Sequence, residues 1–541
     1  MSMVSVATWW TTWMCLMAAL VVANPAQAAN RVVVIPLNSS KGKPLAQVVT
    51  VSGKNGDFRD LVAAVNSITD ASGSKPYVIV IGPGRYNLNR TLVMKPWVSI
   101  YGAGREATIL GFSGVETAIT GADNCELADL TVELNGSGQG QAVAMKNEGV
   151  SPRVHDVSLY VHNGGLLDGI VNVQNSKPEL ERVLVEVTDS GASAHGVVVT
   201  GDSWATLTDV QIRMDIQSGS GIGLELTQGG YALVDRMEIT VNGAGSASVV
   251  EGVNISDSRS GIEIRRSNII ATGQPATAQG LYATHGDTLK VIDTELVTKT
   301  IRGTGTVIGI HVDNMSASLA RTKIVAYERL ATGKAIGLDL QQNVEVSASQ
   351  VSIRAIAPDD AVGVKMETGV TVTANQNSIF VKSYDGDATG VSVLNCNSDD
   401  LLFGHGDVSV EAPSDVARGV VLEAAGMTTF HHSIITARGK SVTVGIYHTF
   451  SNDLVVSDST VQVTGLDANT TTTGIFEKAN GEILRTTVSS DGASLFAEGG
   501  TLDAHFAQLA GAATVSSISG GTLNCVYSIK SDGTALNASC Q

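Results

Sequence analysis

The stretch Gly309-Ile310-His311-Val312-Asp313 sets a glycine before an alternation of aliphatic and polar side chains, and near-copies of it recur along the chain. Glycines followed at once by Val, Ile or Leu stand at 169, 196, 223, 252, 280, 309, 337, 363, 390, 419, 445 and 474, at intervals of 26 to 29 residues. Nine of these twelve repeats carry an apolar residue again three places after the glycine, the exceptions being Asn172, His448 and Glu477. Alternation with period two is the mark of a strand with one buried face. The residue between the two aliphatics varies freely, from Val171 and Glu225 through Tyr282, His311, Asp339 and Lys365 to Tyr447 and Phe476, so it is expected to point outward.

Each repeat also holds a second alternating segment, such as Arg182-Val-Leu-Val-Glu-Val, Asp209-Val-Gln-Ile-Arg-Met or Arg236-Met-Glu-Ile-Thr-Val, and a third short one. Three short strands per repeat, with neither heptads nor a leucine-rich signature, describe one coil of a parallel β-helix. A propeller blade would need about 40 residues and four strands. The expected fold is all-β, a right-handed parallel β-helix of about 12 to 14 coils, each rising about 4.8 Å. The recurrent glycine is read as structural, at a sharp turn into a strand that calls for a positive φ.

Composition agrees with such an array. Of 541 residues, 58 are Gly, 11 are Pro and 4% are aromatic, while 43% are hydrophobic, enough to fill a long core. The formal net charge of -17, with no basic cluster, argues against nucleic acid and anionic membrane surfaces as partners. An acidic surface suits divalent cations, so no cofactor is expected beyond calcium.

Residues 1–28 read as an export signal: Trp9 to Val22 is apolar and Ala26-Gln27-Ala28 is a small-residue cleavage site, although no Lys or Arg precedes Arg31. No later stretch could span a bilayer, so no membrane insertion is expected and the mature chain is placed in the periplasm, at the cell surface or outside the cell. Residues 29–110 would form an N-terminal strand, a cap helix and the first coils, 111–499 the repeats, and 500–541 a C-terminal cap. Between Asp57 and Ala71 the apolar residues Phe58, Leu61, Val62, Val65 and Ile68 share one helical face, with Asp57 as candidate N-cap. Cys525 and Cys540 flank a short loop and are expected to pair in an oxidising compartment. Cys125 and Cys396 lie on distant coils and are read as buried thiols. No Cys-x-x-Cys or Cys/His spacing of a structural zinc site occurs.

The segment Val49 to Leu110 resembles the opening of pectin-lyase-like right-handed β-helix proteins, in the exported bacterial repeat branch. The resemblance rests on a cap helix followed by an Ile-x-x-Gly-x-Tyr turn, here Ile81, Gly84 and Tyr86, and a Gly-x-Gly…Thr-Ile coil, here Gly102, Gly104, Thr108 and Ile109. It implies the fold and not an activity, since that superfamily holds lyases, esterases, hydrolases and non-catalytic adhesins. Its catalytic words do not transfer. Asp399-Asp400 and Gly404-His405-Gly406 look like part of a polygalacturonase set but lie four residues apart instead of a coil apart. Only Gly286-Asp-Thr-Leu289 looks like an esterase word, Trp97 and Trp204 fit no third motif, and the Trp-x-Asp-His word of calcium pectate lyases is missing.

A site would therefore lie on the outward lane of the glycine-led strands. His311, Asp313, Asp339, Lys365 and Glu367 are the candidate catalytic residues: carboxylates on adjacent coils stand about 5 Å apart and could share a proton or hold calcium, and His311 could serve as an acid. Tyr282, Tyr447 and Phe476 are candidate binding residues that could stack on sugar rings. The favoured function is a non-catalytic surface or extracellular rod that binds polysaccharide or other cell-surface partners, because the catalytic words are missing and the repeat interval is even; the alternative is a carbohydrate-active lyase or hydrolase of acidic polysaccharide.

Overall fold

The computed structural model describes residues 47–541, apart from 139, 275–276, 302–304, 330–331, 395–399, 424–425, 450–452 and 519. The expected signal segment and Cys396 lie outside the described residues. The chain winds as a parallel solenoid of about 16 turns. One coil runs through Thr306–Asp313, Ser316–Ala320 and Lys323–Tyr327, and the next through Lys334–Gln341, Glu345–Ser349 and Ser352–Ala357. Each strand pairs in parallel with its counterpart one coil on: Ile310 faces Leu338, Leu319 faces Ala348 and Ile324 faces Ile353. In the early coils the third strand runs straight into the glycine-led one, giving long bent strands such as Gln211–Leu226 and Glu238–Ile255.

The count exceeds 12 to 14 because the glycine word misses coils at both ends. By strand register the glycine position is filled by Ala118 and Ala144 before Gly169 and by Ser494 after Gly474. What the position demands is smallness. None of the twelve glycines has a positive φ, which corrects that expectation. At Gly309 a Cβ would sit 2.3 Å from Cγ2 of Ile324 and 2.5 Å from the carbonyl oxygen of Gly337, so a neighbouring side chain and the next coil's backbone exclude it. The column is a close approach of coils, not a left-handed turn.

The left-handed conformation occurs elsewhere, at a one-residue corner between the second and third strands. Asp293, Arg321, Gln350, Gln376, His405, His432, Asp458 and Arg485 all have φ between 46 and 57° there. Asp and His tolerate this region better than most residues, Arg and Gln less so. The corner is held by the next coil: Asp293 N donates to Ala320 O at 3.0 Å and Arg321 N to Ser349 O at 2.9 Å. Buried Thr294 and Thr322 follow, each hydroxyl donating to the carbonyl two residues back.

Both ends are covered. The helix spans Leu61–Ser67, and its N-cap is Asp60, whose carboxylate accepts from Val62 N and Ala63 N. The expected cap Asp57 instead accepts from the amide and hydroxyl of Thr50, and Phe58 makes a parallel bridge to Val51. The helix's Leu61, Val62 and Val65, and Ile68 just past its end, lie in the core. At the other end Leu536 N donates to Ser528 O and Cys525 N to Ala538 O, laying the tail along the last coil, and Cys525 is bonded to Cys540. Cys125 is buried, its thiol donates to Ala122 O, and burial pushes its pKa up to about 12.

Candidate active site

Along the glycine-led strand the glycine interrupts the alternation. Val307, Ile310 and Val312 belong to the core, whereas Ile308 does not. The residues one before and two after the glycine therefore share the outer face, and the strip on that face carries two residues per coil there instead of one. Asp168, His195 and Glu251 occupy the position before the glycine, and sequence reasoning missed them. A signal was present, since that column otherwise holds residues such as Ile222, Ile308, Ile336 and Val362, among which a charge stands out.

The residues expected in this lane do come together, but not as a solvated face. His311 is 7% and Asp339 3% exposed, which corrects the expectation that they project into water. Stacked side chains from neighbouring coils cover them. The Tyr282 ring lies on the His311 ring, with centroids 4.7 Å apart, and His311 Nδ1 is 2.9 Å from Asp339 Oδ2, which also accepts from Gln341 Nε2 at 3.1 Å. Lys365 Nζ stands 3.8 Å from Asp339 Oδ1 and 2.5 Å from Glu367 Oε1. Although burial opposes the Lys365 charge, these carboxylates raise its pKa. Asp313 is in register with Gln341 rather than beside Asp339, and its Oδ1 is buried without a hydrogen-bond partner among the described residues.

A second cluster precedes the first on the same strip. His195 Nδ1 is 2.7 Å from Asp168 Oδ1, and Gln141 Nε2 donates to the other Asp168 oxygen at 2.9 Å. On its far side His195 Nε2 lies 3.5 Å from Ser193 Oγ and 3.8 Å from Glu225 Oε2. Burial works against the imidazolium, but the Asp168 hydrogen bond and the Glu225 charge outweigh it and raise the His195 pKa. Glu251, one coil beyond Glu225, is 7% exposed and accepts from Asn254 Nδ2 at 2.5 Å. Burial and then the Glu225 charge push its carboxyl above the usual range, against the opposing pull of Asn254, His195 and His311. Glu251 thus lies within the electrostatic reach of both clusters, and the strip from Asp168 to Glu367 is one polar body.

The aromatic candidates stack on one another. Tyr447 and Phe476 are 4.9 Å apart and Phe476 and Phe496 5.1 Å, nearly parallel, and Lys478 lies 5.6 Å from the Phe476 centroid. Both faces of Phe476 are occupied, so it offers a ligand its edge and not a stacking platform. The remaining motif residues sit off the strip. His405 is at the left-handed corner, and Asp400 accepts from Met427 N; Asp399 lies outside the described residues.

No family model matches the chain, and no curated protein does. Solved structures with a similar winding include pectin methylesterase from carrot, at 14% identity over 56% of this chain and 90% of that one, TM-score 0.30. The catalytic unit of a GH87 alpha-1,3-glucanase from Streptomyces thermodiastaticus strain HF3-3 matches at 14% identity over 71% and 68%, TM-score 0.33. Pectate lyase Pel9A matches at 10% identity over 54% and 78%, TM-score 0.29. At these identities the likeness is one of fold alone. The parallel coil register of the chain itself makes it a β-helix protein.

Proposed function

We propose that the protein is an exported, carbohydrate-active β-helix whose acid–base site is the strip on the glycine-led sheet. The observation that carries this reading is the Glu225/Glu251 pair: two carboxylates on adjacent coils, one of them held toward its neutral form by burial. Glycoside cleavage needs such a division, a protonated carboxyl to give its proton to the leaving oxygen and an ionised one to act as base or nucleophile. Glu251 takes the first role and Glu225 the second. The His195 ring, oriented by Asp168, stands 3.8 Å from Glu225. The cleavage sequence at Ala26 to Ala28 supports export. Among the described residues no helix is long and apolar enough to cross a membrane.

The strip gathers Asp168, Glu225, Glu251, Asp313, Asp339 and Glu367 against Lys365 and two imidazoles. A polyuronate would meet net repulsion, so neutral polysaccharide is the favoured substrate class, and an acidic chain would need calcium between it and the strip. Among the described residues no three strip carboxylates and imidazoles converge to within ion-bridging reach, so calcium would be shared with the ligand. A second reading, a non-catalytic rod that binds polysaccharide along this face, is favoured by the even repeat. Intervals of 26 to 29 residues leave no long insertion to wall a groove between Gly169 and Gly474.

The test is a depolymerisation and binding screen on neutral and acidic polysaccharides, with calcium and with chelator, alongside Glu251→Gln, Glu225→Gln and Asp313→Ala/Asp339→Ala. Sugar release that falls on the order of 100-fold or more in Glu251→Gln supports the enzyme. Binding without release selects the rod, release untouched by either glutamate substitution removes the Glu225/Glu251 pair, and release untouched by all three variants removes the strip from consideration.

A further inference from the structure

The left-handed corner column carries a second constellation, away from the strip. Along most of this column neighbouring coils satisfy each other. Arg321 grips Asp293 and Arg485 grips Asp458, each through two nitrogens, and Gln350 Nε2 donates to Gln376 Oε1 at 3.1 Å. At the coils of His405 and His432 the pattern changes. The two corner residues are both imidazoles, stacked with centroids 4.7 Å apart and planes within 3°. His431, the residue before the corner, adds a third ring perpendicular to them, 3.9 Å from His432 and 5.5 Å from His405. One nitrogen from each ring lies within 4.8 Å of the others, and the three rings are half-buried or exposed.

From this convergence we propose that His405, His431 and His432 form a three-imidazole site for a borderline divalent transition ion, zinc foremost. Neutral imidazole suits zinc, copper and nickel and is a poor ligand for calcium or magnesium. His431 Nδ1 lies 3.2 Å from Ser457 Oγ, and with Nδ1 donating there its Nε2 turns a lone pair toward His432 Nδ1, 2.7 Å away. A second partner that fixes the tautomer of a ligating imidazole is the usual companion of a metal site. Zinc–nitrogen bonds of about 2.0–2.1 Å in tetrahedral geometry need the nitrogens roughly 3.3 Å apart, so binding has to open the His431–His432 contact by a fraction of an ångström and bring the His405 nitrogen, within 4.8 Å of the other two, to that spacing. The carboxylate on the next coil, Asp458, is held by Arg485 at 2.6 Å on each oxygen and adds its negative field without entering the coordination sphere. Three nitrogens and an outward-facing fourth position make an open site, able to take water, a ligand carboxylate or a partner's side chain. The spacing of this trio, one coil plus an adjacent residue, is invisible to any search for local Cys/His motifs.

The experiment uses the untagged full-length mature chain, stripped with chelator and titrated with cobalt(II) and zinc in competition with a chromophoric chelator. One ion per chain is expected, with the visible bands of cobalt in a low-symmetry nitrogen site. Affinity should fall at least about 10-fold in each of His405→Ala, His431→Ala and His432→Ala, and binding should vanish in the His405→Ala/His432→Ala pair. His285→Ala, on another coil, should leave it unchanged, and circular dichroism should show every variant folded, since the substituted rings lie at the surface. Absence of stoichiometric binding, or binding that survives the double substitution, overturns the site.

Discussion

Two polar columns run along this molecule, one residue or two per coil, and they obey opposite rules. On the strip of the glycine-led sheet His311 meets Asp339 with side chains 9% and 4% exposed. At the left-handed corner Arg321 meets Asp293 with side chains 54% and 41% exposed. Both pairs are stacked by the same coil rise, yet the acids respond in opposite directions. Arginine partners hold Asp209, Asp293 and Asp458 below the usual carboxylate range, whereas burial and a like-charged neighbour lift Glu251 above it. Spacing is common to the two columns; desolvation separates them. Acid–base chemistry is therefore sought on the strip, while the corner's ion pairs are ordinary surface electrostatics.

That contrast can be broken in several places. The largest effect is expected from Asp339→Ala, which strips His311 of its buried partner and should destabilise the fold by about 3–5 kcal/mol. Urea unfolding of the intact chain measures it, and a loss no greater than that of a surface substitution would mean the strip is solvated. Next comes Gly309→Ala, where the added methyl meets the Gly337 carbonyl and Ile324; overpacking of this kind costs about 1–3 kcal/mol. The same substitution at Gly114, at a φ of 69° with open space around it, would test backbone conformation without packing.

Smaller still are the linked pH effects, which differ in sign. Glu251 has a folded pKa above its unfolded one, so the folded state binds its proton more tightly and this group favours folding less as pH rises above about 4.3. Glu251→Gln should accordingly raise stability near neutrality and lose that advantage in acid. Asp156 is the reverse case: Arg182, then His155, hold it down at about 2. Its contribution is present above the unfolded value of about 3.9 and disappears as pH falls toward the folded one, so Asp156→Asn should matter at neutral pH and not in strong acid. Least affected should be Asp293→Asn, an exposed pair whose loss moves the midpoint barely and only at low salt.

Much of the winding was legible because Gly-aliphatic-x-apolar repeats with little drift, and because strand alternation reports burial directly. The reason for the glycine was not legible. A turn needing a positive φ and a crowded approach of coils leave the same residue in the sequence, and only Ala118, Ala144 and Ser494 in the same column tell them apart. The true left-handed corner escaped notice because Asp and His, which favour that conformation, share the column with Arg and Gln, which do not, so no single residue type repeats there. On the strip, His311, Asp339, Lys365 and Glu367 were legible from the repeat, whereas Asp168, His195 and Glu251 were not. Strict alternation would turn the residue before the glycine inward, and the interruption at the glycine is a three-dimensional fact. Nor could alternation reveal that stacking would bury an outward lane.

The strip raises the pKa of a buried carboxyl where the corner lowers those of its carboxylates. Infrared difference spectra of the wild-type chain minus Glu251→Gln, taken across the carboxylate titration range, test it most directly. A protonated carboxyl band, absent from the variant, is expected to persist above pH about 4.3, where an ordinary glutamate has begun to ionise. A band that disappears with the bulk of the carboxylates would contradict it, and the strip would then be another surface ladder.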